Sequence, residues 1–120
     1  MLNFKILRMI NSISNAEHYK WGDNCDGWHL VNTESLSVIQ EMMPPGTTEN
    51  MHYHKLSQQV FYILKGSATF EIDDQIYNVK MGESIHVLPL AKHCISNNQN
   101  EELHFLVVSQ PKSHGDRINV

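Results

Sequence analysis

The sequence predicts an all-β protein, a sandwich or a small barrel, and two observations lead there. Short apolar stretches rich in Val, Ile, Phe and Tyr recur along most of the chain, and nearly every one is bounded by Gly, Pro, Asn, Asp or Ser. At 120 residues the chain is long enough for one core and too short for two, so these stretches must share a single unit.

Taken in order, residues 1–13 carry Leu2, Phe4, Ile6, Leu7, Met9, Ile10 and Ile13, a pattern too irregular to choose between strand and helix. A small barrel should not leave such a segment in water, so it is expected to pack under the barrel or across a partner subunit. Met9 is a second candidate start. Ser14 and Glu17 have capping-box spacing, which predicts one or two helical turns over 15–20 ending at Gly22. A polar turn over 22–27 then leads to strands at 28–31 and 36–43, stopped by Pro44, Pro45 and Gly46. Further strands are expected at 52–53, 59–64, 68–72, 75–79, 84–88, 93–96 and 103–109, with a tight acidic hairpin at Asp73–Asp74. The domain reading is an extension over 1–35, a barrel over 36–109 and a tail over 110–120.

A formal charge of −4 and a pI near 6.0 argue against nucleic acid or an anionic membrane surface as partner, because both require clustered Lys and Arg. The longest apolar runs, 61–64 and 105–108, fall far short of the roughly 20 residues that span a bilayer, and no apolar signal core is visible at the start. The expectation is a soluble cytoplasmic protein. Cys25 and Cys94 form no Cys-x-x-Cys pair and suggest no disulfide framework, in keeping with a reducing compartment.

The chemistry concentrates between Gly46 and Gly66. His52 and His54 stand two apart, so on an extended segment they project to one face with Cα atoms roughly 6.5–7 Å apart. Two imidazoles so placed can share one ion, and Gln59, after a polar bend at 55–57, can turn to the same side. A further histidine, His93, follows Pro89. Each of these residues also has an ordinary reading: His52 and His54 as solvent-facing strand residues, His93 as a turn residue, Gln59 as a hydrogen-bonding neighbour behind a water.

The spacing resembles the two motifs of the cupin superfamily. Gly46, five residues, His52-x-His54, four residues, Gln59, six residues and Gly66 match the first; Gly82, His93 and Asn97 match the second. Gln59 stands where the family usually has Glu, Leu88 where the first proline is usual, and Leu90 where a glycine is usual. The resemblance covers residues 36–108. It implies a small jelly-roll-like barrel with one divalent metal, Zn, Ni, Mn or Fe, inside its mouth, held by His52, His54, Gln59 and His93. It also implies a homodimer. Three His and one Gln is similar to the ligand set of the cupins that open unsaturated uronates, which suggests an isomerase or tautomerase acting on a sugar, a sugar acid or a similar anionic oxygenated metabolite. An iron-dependent dioxygenase and a non-catalytic ligand-binding barrel are the two rival readings.

Replacing the carboxylate by an amide leaves a dication uncompensated. For an anionic group about 4 Å away, the missing negative charge is worth on the order of 4 kcal/mol at an effective dielectric near 20. Such a site favours small anions and enolates, with the metal acting as a Lewis acid. Proton transfer needs a further acid or base, for which His104, His86, Glu41 and His29 are candidates, each with an alternative reading as an outer-face strand residue. Tyr53, Phe61, Tyr62 and Met51 could line the cavity. In the tail, His114, Asp116 and Arg117 form a charged cluster, and Arg117 could close over the mouth and bind a carboxylate bidentately. Cys94 should point away from His93 as a buried thiol.

Overall fold

The computed structural model describes residues 9–120, which contain eleven strands and no helix. They are β1 (Glu17–Trp21), β2 (Cys25–Asn32), β3 (Ser37–Met43), β4 (His52–Tyr53), β5 (Gln58–Lys65) and β6 (Ser67–Ile72), followed by β7 (Gln75–Lys80), β8 (Ser84–Val87), β9 (His93–Ser96), β10 (Leu103–Gln110) and β11 (Ile118–Asn119). One sheet has the order β1-β2-β3-β10-β5-β8 and the other β11-β4-β9-β6-β7, with every pair antiparallel. This is the all-β jelly-roll arrangement.

Alternation along the strands builds the core. On β10, Leu103, Phe105, Val107 and Ser109 are buried, and Gln59, Phe61 and Ile63 on neighbouring β5 face the same interior. Phe61 meets Phe70 edge-on with ring centroids 5.0 Å apart and Phe105 at 6.0 Å. Each fully buried side chain of this size contributes roughly 1.5–3 kcal/mol. Asn97 closes one end of the barrel: its Nδ2 donates to the Met43 carbonyl at 2.9 Å and the Glu101 carbonyl at 2.8 Å, while its backbone carbonyl accepts the Gly46 amide at 2.8 Å. The buried side chain therefore welds the loop after β3 to the loop after β9.

Two local expectations are corrected. No helical turn occupies 15–20, because Asn15 Oδ1 accepts the Ser12 amide at 2.9 Å and closes a single turn before Glu17, after which the chain pairs with β2. The polar turn ends at Asn24 rather than Gly27, and β2 begins at Cys25, opposite Trp21. Both misreadings come from one hairpin: Gly22 and Asn24 take positive φ in a three-residue turn that joins β1 directly to β2, and this pairing overrides the capping-box spacing of Ser14 and Glu17. Of the apolar N-terminal segment, residues 1–8 lie outside the described residues, while Met9 and Ile10 are exposed. Among the described residues no helix is long and apolar enough to cross a membrane.

Leu90, at the position where the cupin pattern has glycine, takes φ +73° with its side chain exposed, and its amide donates to the His54 carbonyl at 2.7 Å. That backbone conformation costs a residue with a Cβ about 1–2 kcal/mol, against about 0.5–1 kcal/mol of extra entropy for glycine. Leu90→Gly is expected to raise stability by about 0.5 kcal/mol. Equilibrium denaturation checks this, and a lower midpoint would show that the leucine side chain contributes packing that outweighs the strain.

Candidate metal centre

β4 and β9 lie side by side, with His52 directly across from His93, and His54 follows immediately where the chain leaves β4. The three ring centroids are 4.3 Å apart for His52 and His93, 4.9 Å for His52 and His54, and 5.5 Å for His54 and His93. One potential ligand atom from each ring lies within 4.8 Å of the others, and all three residues are buried.

Their tautomers are fixed by what the other ring nitrogen touches. Nδ1 of His52 lies 2.8 Å from the Asn50 carbonyl, that of His54 2.7 Å from the Asp116 carbonyl, and that of His93 2.8 Å from the Ala91 carbonyl. A carbonyl oxygen can only accept, so each Nδ1 carries the proton and each Nε2 keeps its lone pair. Nε2 of His54 and of His93 are buried and meet no hydrogen-bond donor. Gln59 reaches in from the opposite sheet. Its Nε2 donates to Ser109 Oγ at 3.0 Å, which leaves Oε1 buried and without a hydrogen-bond partner. Three neutral imidazoles and an amide oxygen, each with an unused lone pair and each oriented by a second hydrogen bond, fit a single divalent cation. Burial drives His52 down to about 3, and burial likewise lowers His54 and His93, so all three are neutral near pH 7, the form a metal requires.

The same cavity, about 780 Å³, has a second polar wall. Glu41 of β3, Glu49, Tyr19 of β1 and Arg117 line it together with His52, His54 and Gln59. Tyr19 Oη donates to Glu41 Oε2 at 2.5 Å. It reaches there by lying over Gly27, where a Cβ would overlap its ring. Burial raises Glu41 to about 7, against the lowering effects of the Tyr19 hydroxyl and the Arg117 charge. Glu49 is raised to about 8 by burial and by the Glu41 charge, with Arg117 opposing. Arg117 is loosely held: Nη1 is 3.5 Å from Glu49 Oε2 and Nη2 3.4 Å from the Asn50 carbonyl, while Nε donates to Asn119 Oδ1 at 3.0 Å.

Of the residues singled out from the sequence, the structure brings together His52, His54, Gln59, His93, Glu41, Arg117, His29 and Phe61, and His114 also lines the cavity. It does not bring His86 or His104 there. His86 is exposed beside Val60 on the outer face and bonds Gln58 Oε1 at 2.8 Å. His104 alternates with buried Leu103 and Phe105, faces outward, and lies 3.2 Å from Glu102 Oε1. Tyr62 also points out, because Phe61 takes the inner position. Cys25 and Cys94 are buried free thiols, each raised by desolvation. Sequence reasoning missed Tyr19, Glu49, Ser109 and the role of Asp116. Only Glu49 left a signal, an acidic side chain three residues before His52.

With this geometry in view, comparison with known proteins identifies the class. Residues 39–109 match the cupin domain model, and the chain belongs to the cupin family. It is 33% identical over 81 residues to the uncharacterized protein MJ1618 of Methanocaldococcus jannaschii; the match covers 67% of this chain and 65% of that protein, so it spans just under two thirds of the relative's length. It is 30% identical over 85 residues to the oxalate-binding protein of Thermotoga maritima, covering 67% and 70% of the two chains. The fold is similar to that of an RmlC-like cupin from Shewanella frigidimarina, with a TM-score of 0.81, 17% identity, and coverage of 91% of this chain and 96% of that one.

Proposed function

We propose that this cupin is a metal-dependent isomerase or tautomerase acting on a sugar, a sugar acid or a similar anionic oxygenated metabolite, with one divalent ion held by His52, His54, Gln59 and His93. The observation that carries the reading is the pairing, in one cavity, of a neutral metal-ligand set with Glu41, a partly buried carboxylate raised by desolvation to about 7. When bound, the metal supplies Lewis-acid polarisation of a carbonyl or hydroxyl oxygen. Glu41 takes a proton from the substrate and returns it at another atom, its carboxylate oriented by the Tyr19 hydroxyl. Arg117, whose two terminal nitrogens make only long contacts, has donors to give to a substrate carboxylate. We further take the protein to be cytoplasmic and homodimeric, and to bind neither nucleic acid nor membrane, the formal charge of −4 supporting the last two points.

The test is metal content of protein purified without added metal, followed by turnover of unsaturated uronates and keto-hydroxy acids with the metal found. One zinc, nickel or manganese per chain together with turnover supports the reading. Iron together with oxygen uptake would instead indicate a dioxygenase. A second reading, a binding barrel without turnover, is favoured by the similarity to the oxalate-binding protein of Thermotoga maritima. Tight oxalate binding with no turnover across the panel would establish it.

Gln59 tunes the charge of the centre. In Gln59→Glu the new carboxylate can keep its Ser109 partner, because that hydroxyl can turn from acceptor to donor. The substitution is expected to tighten metal binding by about tenfold or more and to weaken binding of an anionic ligand by a similar factor. Parallel titrations of zinc and of oxalate check both directions, and a parallel rise in both affinities would contradict the charge argument.

A further inference from the structure

His54 differs from its two companions in what holds it. The Nδ1 bonds of His52 and His93 go to carbonyls two residues away in their own loops, whereas that of His54 goes to Asp116, 62 residues on. His54 also sits just past the end of β4, where a single backbone bond, from the Leu90 amide to its carbonyl at 2.7 Å, takes the place of the sheet ladder. The turn that follows would leave three amides without acceptors. Asp116 takes all three: Oδ1 accepts Lys55 N at 3.0 Å, and Oδ2 accepts Leu56 N at 2.9 Å and Ser57 N at 3.0 Å. Ser57 Oγ adds a bond to the Pro111 carbonyl at 2.6 Å, and β11 pairs with β4 two residues beyond Asp116.

We propose that Asp116 is a positioning residue of the metal centre: its carboxylate clamps the 55–57 turn while its carbonyl fixes the His54 ring. The C-terminal segment is then a working part of the site rather than a tail. The two contacts reinforce each other, because the clamp on residues 55–57 sets where the carbonyl of the same residue stands relative to His54. Without the clamp the carbonyl of residue 116 is no longer held against Nδ1, the two neutral tautomers of the ring become comparable, and the lone pair required at Nε2 is present for only part of the time. The proposal rests on the metal reading for its consequence but not for its geometry.

Two variants test it. Asp116→Ala removes all three amide bonds. Asp116→Asn keeps one carbonyl-type oxygen as an acceptor and should rescue in part. Zinc affinity, measured by competition with a chromophoric chelator, is expected to fall about 10–100-fold in Asp116→Ala and less in Asp116→Asn. In metal-free protein, nitrogen shifts of the histidine rings should show the Nδ1–H form of His54 giving way to a mixture, with His52 and His93 unmoved. A purely structural role would lower stability without this selective change at His54. An unchanged His54 tautomer, with zinc affinity within about twofold of the parent, would overturn the proposal. If the parent takes up no zinc, the metal reading fails and the tautomer measurement alone decides the positioning role. If Asp116→Ala does not fold, Asp116→Asn carries the same two measurements.

Discussion

The double substitution His52→Ala/His54→Ala is expected to abolish metal binding, taking the content from about one ion per chain to background, because a single imidazole and an amide cannot hold a divalent cation against solvent. Elemental analysis reads this directly, and retention of more than about half the parent's metal would remove these residues from the ligand set. Thermal unfolding gives an independent check. A ligand that binds only the folded state at about 100 times its Kd adds roughly 2.7 kcal/mol, so added metal should raise the Tm of the parent and leave that of the double variant unmoved. The metal-free parent should also be acid-sensitive through these residues. Burial holds His52 down at about 3, and His54 and His93 are lowered in the same direction. The unfolded chain therefore takes up protons below its ordinary histidine value of about 6.5 while the folded chain does not. Stability contributed by the neutral rings is present above that value and is lost as the pH falls toward 3. The double variant should lose much of this slope.

The convergence of the three histidines was legible because parity and spacing are local. Two histidines two apart on an extended segment must share a side, and Gln59, Phe61 and Ile63 must share another, which is the alternation β5 displays. His93 required the second motif, since its pairing with His52 joins strands 41 residues apart in sequence. Parity failed where its phase was unknown. His86 and His104 are as strand-like as His52, yet nothing in the sequence says which face begins the count, and the register between β10 and β5 shifts next to His104. The second wall was mostly illegible for a different reason. Tyr19 reaches Glu41 from another strand over Gly27, and Asp116 reaches His54 from the far end of the chain. The first contact is set by register within one sheet, with Tyr19 opposite Gly27 and Gly27 opposite Glu41, and the second by where the C-terminal segment docks; a polar stretch with one tyrosine carries no trace of either.

Glu41→Gln is expected to cost about 10²–10⁴-fold in turnover while leaving metal content unchanged, as loss of a general base does. Isosteric replacement keeps an acceptor for the Tyr19 hydroxyl, so the cavity wall should stay in place. The pH dependence separates a base from a bystander. Burial raises Glu41 to about 7 in the metal-free cavity, and a dication nearby can only draw that value down. As a base Glu41 acts when ionised, so kcat/KM of the loaded parent should climb with pH to a plateau, with its midpoint at or below about 7. Tyr19→Phe removes a hydrogen bond that favours the charged carboxylate, and should move that midpoint upward. The folded protein holds the Glu41 proton more tightly than the unfolded chain, so its contribution to stability is present below the ordinary carboxylate value and is lost as the pH rises through about 7. Glu41→Gln should therefore be more stable than the parent above pH 7, even as it loses activity. Gained stability with lost turnover is the signature of a carboxylate kept in an unfavourable place for its chemistry. A Glu41→Gln variant that keeps more than about half the parental rate would transfer the role to Glu49, the other raised carboxylate of the same wall.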